Sequence, residues 1–315
     1  MAMLYGAFAM YRWGVRPPPA TSWCRGLRRQ EHREERQMTA TYTVNCSILL
    51  TELPLLDRPG AARNSGFEAV EFWWPFDTPT PPVADVTAFI RAIQDAGVQL
   101  TGLNFAAGDM PAGDRGILSN PAMTQAFRDN VEIAVGIAES LGTRAFNALY
   151  GNRIEEYSPA TQDQVGAENL AYAARAANRI GATILVEPVS GAPRYPLTTA
   201  ADVVRVIDRV HSEHGATNLR LLADLYHLHV NGDDITAAIN HYASRIGHVQ
   251  IADAPGRGEP GTGEIPLRTY LEQLAGHGYR GYVGLEYKAT KPDTFEWLPR
   301  AERVATLQPH AETRI

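Results

Sequence analysis

Cysteine is nearly absent: the 315-residue chain has two, Cys24 and Cys46. Neither stands in a CxxC pair or beside a histidine, which argues against a disulfide framework or a structural zinc site and points to a reducing, cytoplasmic setting. No apolar run reaches the roughly 20 residues of a membrane span, so no membrane partner is expected. The glycine fingerprint that follows the first strand of a dinucleotide-binding sheet is also missing. After the first strand candidate comes LTELPLLDRPG, which lacks that spacing, so nicotinamide and flavin chemistry are not expected. Positive charge is in deficit. The net charge is −6, which argues against nucleic acid as the partner while leaving a small anionic substrate open.

The first 37 residues stand apart. They hold seven Arg and three Glu, a net of +4 that leaves −10 for the rest, together with a PPP run. The apolar part comes first and the arginines follow, the reverse of a secretory signal. Residues 1–37 are expected to be a disordered extension, or to lie ahead of a true start at Met38. The folded domain is expected over 38–308, with a tail at 309–315.

From Met38 onward, short β-branched or apolar runs alternate with helical stretches. Eight strand candidates are YTVNCSI (42–48), AVEFWW (69–74), VQLTGLNF (98–105), RAFNAL (144–149), TILVEP (183–188), LRLLADL (219–225), IGHVQIAD (246–253) and GYVGLEYK (281–288). Between them, VADVTAFIRAIQDAG repeats apolar residues every three or four positions and stops at Gly97. PAMTQAFRDNVEIAVGIAESLG opens on a proline and stops at Gly142. Segments beginning PATQDQ, TAADVV and PLRTYL behave alike. Strands alternating with helices imply parallel pairing through crossovers, and eight units in a chain of this length match a closed (β/α)8 TIM barrel, an α/β fold. An open doubly wound sheet is the alternative.

A TIM barrel carries its active site at the C-terminal ends of its strands. Four of the runs end in polar residues: Glu187, Asp224, Gln250 and Glu286. A carboxylate buried there is costly unless it is paired, hydrogen-bonded or bound to a metal. The fifth to eighth strands would bring all four to one patch. Three carboxylates and an amide oxygen make a hard-oxygen site that suits Mg2+ or Mn2+ better than zinc. Helix capping or arginine pairing is the plainer alternative for any one of them. His227, three residues after Asp224, is placed to hold substrate or outer oxygens, or is a surface histidine. His248 reads as structural. The loop DAPGRGEPGTGE is glycine-rich enough for close approach to a ligand. Arg257 within it can meet a carboxylate bidentately, or pair with Glu259 or Glu264. Lys288 is expected to share a strand face with Glu286 and to supply a second cation. AAGDMPAGDRG (106–116) reads as a lid or a surface loop, and FWWPFD (72–77) as an apolar wall or core.

Taken together, GFEAVEFWWPFD, AAGDMPAGDRGI, LVEPVS, DLYHLH, HVQIADAPGRGEPGTGEI and GYVGLEYK resemble the hydroxypyruvate isomerase family, within the xylose-isomerase-like TIM barrels that also hold the ketose 3-epimerases. The resemblance spans residues about 42–298. It implies a divalent metal held by Glu187, Asp224, Gln250 and Glu286, with Glu187 and Glu286 as the acid–base pair. The wider superfamily often has histidine where Gln250 stands, which favours the hydroxypyruvate isomerase branch. The implied reaction interconverts hydroxypyruvate and tartronate semialdehyde through an enediolate. His227, Arg257 and Lys288 are the expected substrate contacts. A related isomerase or epimerase acting on a four-carbon 2-oxo acid or a free ketose is the near alternative. An endonuclease IV-type hydrolase would need a histidine-rich trinuclear zinc site and a basic face, and the chain has nine histidines, few of them at strand ends. A non-catalytic sugar-binding barrel is a third alternative. A homo-oligomer is compatible with the sequence.

Overall fold

A computed structural model describes residues 40–304. The extension at 1–37 and the tail at 309–315 lie outside the described residues. Eight parallel strands close on themselves in sequence order: β1 (Thr41–Asn45), β2 (Ala69–Phe72), β3 (Gln99–Asn104), β4 (Ala145–Asn147), β5 (Thr183–Val186), β6 (Leu219–Asp224), β7 (Ile246–Ile251) and β8 (Tyr282–Leu285). β8 pairs back onto β1 from Thr41↔Tyr282 to Val44↔Leu285, which completes the ring. All eight predicted strands are present and each is shorter than expected, because the pairing stops where the chain turns out at the mouth.

The expected helices form at Val83–Ala96, Thr124–Leu141, Pro159–Asn178, Ala200–His214 and Leu267–Gly276. They lay apolar faces such as Phe127, Val131, Ala134 and Ala138 against the barrel. The Ala200–His214 helix begins with a capping box between Thr199 and Asp202, in which each residue satisfies an otherwise orphaned backbone N–H of the first turn. Four short α-helices among the described residues were not expected: Arg58–Asn64, Leu225–Val230, Ile235–Tyr242 and Arg300–Arg303. The first carries Pro59 and Gly60, which mask its periodicity. The second has only six residues, too few to show a period, and starts directly at Asp224. Among the described residues no helix is long and apolar enough to cross a membrane.

Polar residues also enter the barrel. Glu71, in the middle of β2, is buried at 3% exposure. Its carboxylate accepts from Asn45 Nδ2 (3.2 Å), Gln250 Nε2 (2.7 Å) and His248 Nε2 (2.7 Å). Three donors meet the cost of burying this group.

Candidate active site

The strand ends bring Glu187, Asp224, Gln250 and Glu286 to one end of the barrel. Glu187 follows β5 by one residue, Asp224 closes β6, Gln250 is the penultimate residue of β7, and Glu286 follows β8 by one. All four are buried. Each uses part of its polar head on the protein and leaves the remainder free or only loosely held. Glu187 Oε2 accepts from Asn147 Nδ2 at 2.6 Å. Asp224 Oδ1 accepts from the Tyr226 and His227 amides at 2.8 and 3.1 Å, capping the short Leu225–Val230 helix. Gln250 donates its amide to Glu71, and Glu286 Oε1 accepts from the Trp73 indole N–H at 2.9 Å. The capping alternative for Asp224 is therefore realised, but with one oxygen only.

The remaining oxygens define the site. Among the described residues, Gln250 Oε1 and Glu286 Oε2 are buried with no hydrogen-bond partner. Asp224 Oδ2 has only longer approaches, 3.4 Å from Arg257 and 3.6 Å from His227 Nε2. Glu187 Oε1 lies 3.8 Å from His227 Nε2. Glu187, Asp224 and His227 each offer an atom within 4.8 Å of the others. Orphaned buried oxygens are rare in proteins because each forfeits its hydration. Fixing one atom of each group while leaving its other oxygen for a ligand is how outer contacts orient metal ligands. The donor set is rich in oxygen and fits a hard divalent cation.

His227 differs from the oxygens. The Ser190 amide N–H donates to its Nδ1 at 3.0 Å, and the Ser190 hydroxyl lies 2.7 Å from the same atom. An amide can only donate, so Nδ1 is the acceptor and Nε2 carries the proton. Burial lowers the ring's pKa to about 4, so the neutral form presents an N–H toward Glu187 and Asp224 and not a lone pair. Histidine bound this way can donate to a substrate oxygen but is blocked as a ligand.

Burial, followed by the Asp224 charge, pushes the Glu187 carboxyl up to about 8. Burial also holds Glu286 well above the usual carboxylate range, against the pull of Arg257, with Glu187 and Asp224 adding to the rise. Arg257 sits among these acids. Its guanidinium lies 2.9 Å from Glu286 Oε1, its Nε donates to the Glu286 carbonyl at 3.1 Å, and it covers the Tyr226 ring. Burial works against its charge, but Glu286 and then Asp224 outweigh it and keep its pKa raised. The alternative pairing with Glu259 or Glu264 does not occur among the described residues, where Arg257 meets Asp224 and Glu286. Glu259 instead accepts from the Thr290 amide and hydroxyl and the Lys291 amide, and Glu264 meets His229.

The glycine-rich loop that carries Arg257 is held at both ends. Buried Asp253 accepts from the amides of Ala254, Ile265 and Gly261, so one carboxylate ties both ends of the loop. A Cβ at Gly263 would stand 2.0 Å from the Ala254 carbonyl oxygen, a closeness that only glycine allows. Arg257 itself has a φ of +60°, in the left-handed region that costs a non-glycine residue on the order of 1–2 kcal/mol and gathers at functional sites.

The expectation for Lys288 is corrected. β8 ends at Leu285, so Lys288 lies on outgoing chain, exposed, with its backbone N–H bonded to the Arg257 carbonyl. The strand-face assumption ran the pairing three residues too far. Sequence reasoning missed Asn147, Glu71 and Ser190. Asn147 ends β4 as the four expected residues end theirs, but reading that strand on to 149 hid it. Trp73 was read only as wall or core, whereas its N–H is the part that reaches Glu286. Arg115, in the 106–116 loop, was not singled out. It bonds to the Met110 and Asp114 carbonyls, pairs with no carboxylate among the described residues, and helps to lower the His227 pKa.

Comparison with known proteins places the chain in a family. The profile of the xylose isomerase-like TIM barrel family matches residues 59–307. A provisionally named hydroxypyruvate isomerase of Streptomyces coelicolor is 54% identical over 84% of this chain and 97% of its own. The hydroxypyruvate isomerase of Escherichia coli is 34% identical over 78% of this chain and 93% of its own. Among solved structures, a Brucella melitensis protein described as an AP endonuclease of family 2 is 31% identical, with a TM-score of 0.73 over 82% of this chain and 97% of that one. The chain is an isomerase of the hydroxypyruvate isomerase family, within the xylose isomerase-like TIM barrels.

Proposed function

We propose that the protein interconverts hydroxypyruvate and tartronate semialdehyde, with Mg2+ or Mn2+ held by Glu187, Asp224, Gln250 and Glu286. The observation that carries this reading is the close grouping of the Glu187 and Asp224 oxygens, together with the buried oxygens of Gln250 and Glu286 that have no hydrogen-bond partner among the described residues.

The reaction removes a proton from C3, forms a C–H bond at C2, and moves the hydroxyl proton from O3 to O2. A bound divalent cation would supply stabilisation for the negative charge that develops on the two adjacent oxygens. The protein supplies the proton traffic. Glu187 and Glu286 are the acid–base pair of this reading, and carboxyls raised toward neutrality both take and return protons effectively there. Asn147 and Trp73 each hold one oxygen of that pair, which fixes the reactive oxygen opposite. His227, neutral and with Nε2 protonated, donates to a substrate oxygen without competing as a base. Arg257, already beside the carboxylates, and Arg115, which pairs with no carboxylate among the described residues, are the cations for the substrate carboxylate. Lys288, exposed, has no part in this reading.

The family 2 AP endonuclease likeness does not favour a DNA substrate. Among the described residues the cluster has one histidine, whose tautomer blocks ligation, and the net charge is −6.

The test is proton NMR in D2O with Mg2+ or Mn2+. Deuterium should enter hydroxypyruvate as tartronate semialdehyde appears. Exchange in a four-carbon 2-oxo acid or a ketose, with none in hydroxypyruvate, would keep the chemistry and move the substrate. No exchange in any of the three would reject an isomerase reading of this site.

A further inference from the structure

We propose that Glu71, in the interior of the barrel, is a positioning residue that fixes the Gln250 side-chain amide so that its oxygen faces the metal position. The proposal rests on the metal reading above and deepens it. An amide is two-faced: one end donates and the other accepts. Turned over, Gln250 would aim an N–H at the cation and lose it as a ligand. A histidine at this place has no such ambiguity of oxygen and nitrogen, so a glutamine ligand needs a neighbour that specifies its orientation. Glu71 is that neighbour. The Gln250 NH2 donates to Glu71 Oε1 at 2.7 Å, which turns Oε1 of Gln250 away from Glu71. That oxygen is buried with no hydrogen-bond partner among the described residues.

The rest of the interior holds Glu71 to this task. His248, two residues before Gln250 on β7, binds Glu71 Oε2 at 2.7 Å, and Asn45 Nδ2 binds Oε1 at 3.2 Å from β1. Gly284 on β8 pairs in register with Gln250. A Cβ there would lie 2.6 Å from Glu71 Oε1 and 2.8 Å from Gln250 Cγ, so any side chain at 284 would intrude on the carboxylate–amide contact. Glu71 therefore reaches Gln250 from β2, past a β8 kept bare for it. Glu71 and Gly284 both face the Gln250 side chain in the barrel interior. They act through Gln250.

The experiment measures Mn2+ affinity by calorimetry for wild type, Glu71→Ala, Glu71→Gln, Gln250→Ala and the Glu71→Ala/Gln250→Ala double variant, with thermal unfolding of each. Glu71→Ala should weaken Mn2+ binding roughly 10–100-fold, the usual cost of losing an outer contact to a ligand. Glu71→Gln keeps an acceptor oxygen for the Gln250 amide and should recover most of that loss. In the double variant, loss of Glu71 should cost nothing beyond Gln250→Ala. Equal weakening on both backgrounds would mean a general structural role and overturn the proposal, as would a folded Glu71→Ala that binds Mn2+ like wild type. If Glu71→Ala does not fold, Gly284→Ala takes its place in the same cycle and is read by the same criteria. Wild type that fails to bind Mn2+ at all would overturn the metal reading beneath the proposal, and the proposal with it.

Discussion

The indole N–H of Trp73 donates to Glu286 Oε1 across 2.9 Å, joining the end of β2 to the end of β8 over 213 positions of sequence. The same oxygen receives Arg257, so Glu286 has one oxygen doubly held and the other, Oε2, without a hydrogen-bond partner among the described residues. Trp73→Phe keeps an aromatic ring and removes only the donor. A hydrogen bond to a charged group contributes about 1.5–3 kcal/mol, so kcat for the isomerisation should fall roughly 10–100-fold. The melting temperature should change little. A Trp73→Phe enzyme with wild-type kcat would show that Arg257 alone fixes Glu286.

Metal binding should release protons. In the metal-free protein Glu187 titrates near 8, raised by burial and by Asp224, and Glu286 is raised as well. A cation needs the carboxylate forms, so it must displace protons that the folded protein still holds at neutral pH. Mn2+ affinity should therefore rise as pH increases from about 6 toward 8. Calorimetry at pH 6.5 in buffers of different ionisation enthalpy should report net proton release. An apparent enthalpy independent of buffer would contradict the raised carboxyls.

Acid should destabilise the protein through His227. Its folded-state pKa is lowered to about 4 by burial, below the unfolded value near 6.5. Between those values the unfolded chain binds a proton that the folded chain refuses. The stability that this group contributes is present above pH 6.5 and is lost as pH falls toward 4, by about 3 kcal/mol in all. Glu187 acts in the opposite sense: its raised pKa favours the folded state at low pH, and that contribution fades as pH rises through about 8. The two are separated by difference. The stability gap between His227→Gln and wild type, from urea unfolding, should shift in favour of the variant as pH falls from 7 to 4.5. A gap that stays constant would place the His227 pKa elsewhere.

Residues whose function coincides with a local pattern were legible in sequence. Each of TILVE, LRLLAD, HVQ and GYVGLE ends an apolar run in a polar group, and closing a barrel of alternating strands and helices must gather those ends. The eight strands and five longer helices follow from the same periodicity. What was hidden depends on contacts across the barrel or on where a strand stops. Glu71 looks like a stray acid in AVEF until β7 and β8 are seen to face it. Trp73 reads as one more aromatic until its N–H finds Glu286. Lys288 was misplaced because the alternation of strand faces was carried past Leu285, where pairing ends and the chain turns outward.

Glu286 and Asp224 should separate when each is changed. Asp224 spends one oxygen capping the Leu225–Val230 helix and directs its other toward the cluster, so its role in this reading is to hold the cation. Glu286 is both a ligand and, with Glu187, a carrier of the reaction's protons. Glu286→Gln keeps an oxygen that can still ligate but removes a group that can accept a proton from carbon. It should abolish turnover, by at least about 100-fold, the scale of general acid–base catalysis, while Mn2+ affinity falls modestly. Asp224→Ala removes the ligand outright and unpairs two helix amides, so it should lose both metal and activity. Mn2+ titrations beside NMR turnover on the two variants decide between these roles. Equal loss of metal in both would sink the division of labour between the two acids.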